Sequence, residues 1–223
     1  MLIRSWLLLA AGYRRGAGNA DLAALKVPDT RLARAVLEVA RSHQHPLIMG
    51  HAMRTVAYAH AIAALDGLRV DAELLWCAGL LHDVCLEPAE AGHCFAVRGG
   101  QLAVATALQA GATPETANLL GDAVCRHATP GLDPNQHPVP YLVATGALVD
   151  IAGSRLEQME PDFVRRLVAA HPREGFAAAI ASAWRTETRC VRDGRAAVAN
   201  RLGFSAAARI APLAYSAAGR RLT

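Results

Sequence analysis

From Pro28 onward the apolar residues recur every three or four positions, the spacing that lines one face of an α-helix. Leu32, Ala35, Val36, Val39 and Ala40 form one such stripe behind Asp29 or Thr30, either of which can cap a helix. After Pro46, the stripe Leu47, His51, Thr55, Ile62 and Leu65 predicts a second helix that stops at Gly67. Asp71 heads a third, carrying Leu74, Leu75, Ala78, Leu81 and His82. The stretch 87–100 holds Pro88, Gly92, Gly99 and Gly100 and is expected to be a long loop before a helix with Leu102, Ala105 and Leu108. Thr113-Pro114-Glu115 combines a cap, a first-turn proline and a first-turn acid, and the helix it opens should end near Arg126-His127. Residues 129–140, rich in proline, read as a second loop, and helices are expected over 139–153, 161–170 and 173–189. No stretch alternates with a period of two for long enough to make a strand, so the chain is expected to be all-α. With no internal repeat or low-complexity linker, it reads as one helical domain over 25–215 behind an N-terminal extension, 1–24.

Composition sharpens this without changing it. The 223 residues are 53% hydrophobic and 19% charged, enough to build a large core and too apolar for disorder. The net charge of +4 comes from scattered arginines with Lys26 as the sole lysine, and only 5% of residues are aromatic. Nucleic-acid binding asks for clustered charge with stacking rings between, so no nucleic-acid partner is expected. The apolar run from Leu2 to Gly12 falls short of the ~20 residues that span a bilayer, and nothing else in the chain is long and apolar enough to cross one. Five cysteines without a Cys-x-x-Cys pair read as free thiols. Together these features predict a cytoplasmic protein with no membrane partner; a homo-oligomer is compatible with them.

The chemistry lies in His51, the adjacent pair His82-Asp83, and Asp150. His51 follows Leu47 by four, His82 follows Ala78 by four, and Asp150 follows Gly146 by four, so each sits on an inward stripe of its helix. A lone carboxylate buried there costs several kcal/mol unless it is paired or holds a cation. Two imidazoles and two carboxylates from three helices meet that requirement together if they converge. Neighbouring side chains on a helix diverge by ~100°, so His82 and Asp83 reach one centre only if the helix ends there, and Glu87-Pro88 makes such an ending plausible. His127, ending its helix, is the candidate catalytic imidazole. Arg54, one turn past His51, is expected either to pair with a metal-bound carboxylate or to hold an anionic substrate.

The arrangement resembles the HD-domain metalloenzyme superfamily, whose signature is H…HD…D on a helical bundle. Val27-Pro28-Asp29-Thr30, His51-x-x-Arg54, Ala78-Gly79-Leu80-Leu81-His82-Asp83, Phe95-x-Val97-x-Gly99, His127-x-Thr129-Pro130-Gly131, Asp150-x-x-Gly153 and Ala170-His171-Pro172 follow the order seen in the branch related to cyanamide hydratase. The likeness covers roughly 25–184. It implies an HD-type all-α bundle with zinc, or iron or manganese, at His51, His82, Asp83 and Asp150. It also implies a substrate pocket to which His93, Phe95, Arg98 and Thr129 contribute. The related sequences usually carry glutamate where Ala96 stands, alanine where Gly100 stands, and serine where Ala52 stands.

The activity this implies is addition of metal-activated water to a small neutral C–N substrate, with Asp83 receiving the water's proton and His127 protonating the developing anion. The competing expectation is a phosphohydrolase of a nucleotide or phosphomonoester, for which Arg54, Arg98 and Arg126 would supply cationic groups. A third is a metal-free binding or regulatory domain.

Overall fold

The structure is a computed structural model that describes residues 16–206 together with Leu7, Leu8, Ala208, Arg209 and Tyr215. Apart from Leu7 and Leu8, the apolar run Leu2 to Gly12 lies outside the described residues, as does most of the chain after 206. Among the described residues the protein is all-α, one helical domain without a strand; two isolated bridges, Gly18 with Met159 and Glu90 with His93, are its only extended pairings. No helix among them is long and apolar enough to cross a membrane.

Helices α1 (Arg31–His43), α2 (Pro46–Asp66) and α3 (Ala72–Leu81) follow the predicted periodicity. Thr30 caps α1 by accepting the Ala33 N–H, and Asp71 caps α3 by accepting that of Leu74. The left-handed Gly67 (φ 67°) ends α2. Then come α4 (Phe95–Gln109), α5 (Pro114–Arg126), α6 (Pro138–Ala152), α7 (Pro161–Ala170), α8 (Phe176–Cys190) and α9 (Arg195–Arg201).

Helix α2 is the axis of the molecule. Its buried residues, from Ile48 through His51, Arg54, Tyr58 and Ile62 to Ala63, go all round its circumference, so other helices cover it on every side. Helix α6 lies closest to it: a Cβ on Gly146 would stand 2.6 Å from the Thr55 carbonyl oxygen and 2.9 Å from the Ala59 nitrogen. The helices bearing His51 and Asp150 are thus held backbone to backbone.

Two expected boundaries move, each for a tertiary reason. Helix α4 begins at Phe95, inside the stretch expected to be a loop. The carboxylate of Glu187, on α8, accepts the Phe95 N–H at 2.9 Å and supplies a cap that no local residue provides. Gly99 and Gly100 serve packing instead of a turn, since a Cβ on Gly100 would stand 2.8 Å from the Gly121 carbonyl oxygen of α5. Helix α8 begins at Phe176, not Arg173, behind Gly175 at φ 75°, and this leaves Arg173 in a connecting segment. The N-terminal side is tied in as well: Gly18 N–H donates to the Gln158 carbonyl at 2.8 Å, Glu160 N–H donates back to Gly18, and Leu25 is buried in the core.

The core has two parts. The larger fills the space among α1–α7; the smaller gathers Ile48, Leu86, Phe95, Ile151, Phe176, Ile180 and Trp184 where α8 meets the rest. The chemically interesting side chains lie along the seam between them.

Candidate functional site

Helix α3 ends at Leu81, and the turn that follows carries both His82 and Asp83 inward; Val84 N–H bonds the Leu81 carbonyl and Leu86 N–H that of Asp83. This is the ending that adjacent ligands require. His51, His82, Asp83 and Asp150 are all at most 3% exposed, and His127 is 7% exposed.

Each of three imidazoles is anchored through Nδ1. His51 Nδ1 meets Asp150 Oδ2 at 2.7 Å, His82 Nδ1 meets the Gly79 carbonyl at 2.7 Å, and His127 Nδ1 meets the Val124 carbonyl at 2.6 Å. Carbonyls and an ionised carboxylate only accept, so in every case Nδ1 carries the hydrogen and a neutral ring presents a bare Nε2. Those three Nε2 atoms converge on Asp83. His82 Nε2 lies 3.4 Å and His51 Nε2 3.8 Å from Asp83 Oδ2, while His127 Nε2 lies 3.6 Å from Oδ1. Oδ1 of Asp83 is buried without a hydrogen-bond partner.

The two bare nitrogens of His51 and His82 face one another at 3.1 Å. Two lone pairs at that distance repel unless a positive centre lies between them. The triangle of His51 Nε2, His82 Nε2 and Asp83 Oδ2, with edges of 3.1, 3.4 and 3.8 Å, has a circumscribed radius of about 2.0 Å, the length of a bond from zinc to nitrogen or oxygen (~2.0–2.2 Å). These three residues form the one group among the described residues whose ligand atoms lie together closely enough to hold an ion. By donor chemistry and spacing they fit a divalent cation.

Asp150 stands on the far side of His51. Besides the imidazole, its oxygens accept Arg54 Nε at 2.8 Å and Arg54 Nη2 at 2.9 Å, and Arg173 binds Oδ1 as well. Asp150 therefore touches the three-residue group through His51, in the position from which a carboxylate fixes the tautomer and orientation of a metal-binding imidazole. Arg54 is fully buried; its Nη1 donates to the carbonyls of His171 and Pro172, so it pairs with the carboxylate and does not reach a substrate. Sequence periodicity missed Arg173 and Phe176, whose ring stacks on His51 at 4.9 Å. The motif Ala170-His171-Pro172 just before them was the available signal.

Electrostatics follow from this packing. Burial alone would raise the Asp83 carboxyl, yet the neighbouring imidazoles of His82 and His127, which attract the carboxylate once either takes a proton, outweigh it and hold Asp83 well below the usual carboxylate range. Burial likewise opposes ionisation of Asp150, but Arg173, Arg54 and His51 keep it ionised. Burial lowers the pKa of His51 and of His127. For His82, burial pulls downward, but the Asp83 charge and bond and the Gly79 carbonyl prevail and raise it. The cluster thus attracts one positive charge, and His82 is where a proton would take it.

A cavity of about 380 Å³ opens beside this cluster, with His82, Asp83 and His127 in its wall and Thr129 at the start of the proline-rich loop. The other residues expected in the pocket lie elsewhere. Phe95 is buried behind His127, edge-on at 5.7 Å. His93 is exposed on the 87–94 loop. Arg98 turns to the Pro88 carbonyl and Glu90. The cavity wall instead includes Tyr141, Thr145, Trp184 and Phe204, which sit on helical stripes indistinguishable in sequence from ordinary core.

No protein-family model matches the sequence, and no curated protein matches it.

Proposed function

We propose that the chain is a divalent-metal-dependent enzyme of the HD type that adds water to a neutral C–N substrate such as a nitrile or cyanamide. His51 and His82 would hold the ion through Nε2 and Asp83 through its carboxylate, with Asp150 and Arg54 orienting His51. Such an ion acts as a Lewis acid and lowers the pKa of water in its coordination sphere from ~15.7 to ~7.

The chain's own contribution centres on His127. Its Nδ1 hydrogen is committed to the Val124 carbonyl and burial keeps the ring neutral, so Nε2 is a proton acceptor facing the cavity. It takes a proton from water as the water oxygen bonds to the substrate carbon, then returns it to the nitrogen, where negative charge develops. Addition of one water to R–C≡N in this way gives the imidic acid R–C(OH)=NH, and transfer of its hydroxyl proton to nitrogen gives the amide R–C(=O)NH2. Asp83, held ionised, would face the ion through Oδ2, and its Oδ1 lies 3.6 Å from His127 Nε2.

One observation favours a neutral substrate over a phosphate ester. Among the described residues, no lysine or arginine lines the cavity. The three arginines expected to serve phosphate chemistry are committed elsewhere: Arg54 to Asp150, Arg98 to the Pro88 carbonyl, and Arg126 to Asp122 on the surface. Phosphoryl transfer depends on such cations.

The test is an assay of metal-loaded protein with cyanamide and simple nitriles, followed by a panel of phosphate esters. The proposal expects urea or amide formation that is lost in Asp83→Ala, without phosphate release. Phosphate release abolished by the same substitution would replace it with the phosphohydrolase reading, and no turnover and no metal uptake would replace it with a binding domain.

A further inference from the structure

The cavity beside the cluster is much larger than cyanamide needs. At about 380 Å³ it has room for roughly a dozen water volumes of ~30 Å³ each, whereas cyanamide has three heavy atoms. Its polar groups are also unevenly distributed. His82, Asp83 and His127 stand together at one place in the wall, and Leu132, Leu148, Ile151, Trp184, Ala199 and Phe204 supply an apolar surface. The hydroxyls of the wall have partners: that of Tyr141 donates to Asp66 at 2.9 Å, that of Thr129 accepts Arg195 Nε at 3.4 Å, and that of Thr145 bonds Tyr141, while the Trp184 indole nitrogen is buried out of reach of the cavity, without a partner among the described residues. Trp184 of α8 and Phe204, shortly after α9, stack face to face at 4.1 Å between centroids and bring two apolar rings to the wall.

From this asymmetry we infer that the ligand of the cavity is an uncharged molecule of about ten to twelve heavy atoms, an alkyl or aryl body with one polar C–N head group. The body lies against Leu148, Ile151, Trp184 and Phe204 while the head reaches His127 and Asp83. A charged or strongly polar body would lose its hydration against a wall whose described side chains, away from the His82, Asp83 and His127 group, are mostly apolar. An apolar body gains with every buried methylene, so discrimination should follow length and shape more than functional decoration. The inference rests on the proposed chemistry for the nature of the head group only; the apolar body follows from the wall itself.

Isothermal titration of the full chain with unbranched alkyl nitriles, from acetonitrile to dodecanenitrile, and with the corresponding primary amides tests it. Affinity should rise about fourfold for each added methylene and level off near ten to twelve heavy atoms, where the cavity is full. Hexyl phosphate should bind at least tenfold more weakly than the nitrile of equal length. The substitution Ala199→Trp, which fills the apolar end, should reduce binding of the long nitriles at least tenfold, with the melting temperature as its folding control. Affinity that does not change with chain length, or hexyl phosphate binding as tightly as heptanenitrile, would overturn the inference. The wild-type series decides this even if the variant does not fold. The two readings also fail separately. Length-dependent binding without hydration of any nitrile keeps the apolar cavity and removes the hydratase, while turnover of cyanamide with flat affinities does the reverse.

Discussion

His51 donates its Nδ1 hydrogen to Oδ2 of Asp150 at 2.7 Å, and this one bond decides which nitrogen of the ring is left for chemistry. The carboxylate is in turn held by Arg54 and Arg173, both largely buried, so the tautomer of His51 is set by an ion-paired network that reaches from α6 to the segment before α8.

Replacing Asp150 with asparagine should therefore do two things. It leaves two arginines without their counter-charge, at a cost of about 3–5 kcal/mol in stability. It also loosens the orientation of His51, and affinity for a divalent ion should fall about 10–100-fold. Denaturant unfolding and metal titration measure the two effects separately. Unchanged metal affinity in a folded variant would show that Asp150 has no part in preparing His51.

Gly146→Ala separates helix propensity from packing. In an exposed helix this exchange gains about 1 kcal/mol. Here the new methyl would meet the Thr55 carbonyl oxygen at 2.6 Å and the Ala59 nitrogen at 2.9 Å, backbone atoms that cannot rotate aside. The expected net result is destabilisation by about 1–3 kcal/mol, read from the unfolding midpoint. A stabilised variant would mean that α2 and α6 separate without penalty.

Asp66, at the end of α2, makes stability depend on pH. Its bonds from Arg155 outweigh the opposing effect of partial burial and, with the Tyr141 hydroxyl, hold its pKa below the ordinary value. A depressed carboxyl contributes stability at pH values above its unfolded pKa of about 4, and that contribution is lost as pH falls through the folded value. The group is substantially exposed, so the effect should stay under about 1 kcal/mol. Melting temperatures from pH 6 to pH 3 should fall less steeply for Asp66→Asn than for the unaltered chain.

Among the cysteines described as free, Cys94 should react first with iodoacetamide. Burial alone would raise its pKa, but the Arg195 backbone and guanidinium and the N–H groups of Ala96 and Val97 lower it, and the thiol is half-buried. Cys77 is fully buried and its thiol is pushed strongly upward, so it should react last. Mass spectrometry over a time course at pH 7.5 gives the order. Arg195→Ala should slow Cys94 and leave Cys77 as it was.

Much of this was legible in the sequence because it depends on local periodicity. The caps at Asp71 and Thr113 and the inward positions of His51, His82 and Asp150 follow from spacing alone, whereas spacing left Asp29 and Thr30 both open for the first cap. What the sequence did not disclose depends on partners distant along the chain. The start of α4 is set by Glu187, 92 residues away, and a pair of glycines that serves close helix packing reads locally as a turn. Arg173 looked helical, and only the left-handed Gly175 frees it to reach Asp150. The set of four expected around one ion resolves into a group of three with Asp150 behind it, because periodicity gives the face on which a carboxylate lies and not which atom of its neighbour it meets.

The central claim is that His51, His82 and Asp83 hold one divalent cation. Elemental analysis of the purified chain, after loading with zinc, iron or manganese and removal of free ion, tests it most directly. The account predicts about one equivalent per chain, and its near-complete loss in His82→Ala and Asp83→Ala variants that still unfold cooperatively. A full equivalent retained in both variants, or none in the unaltered chain, would contradict it.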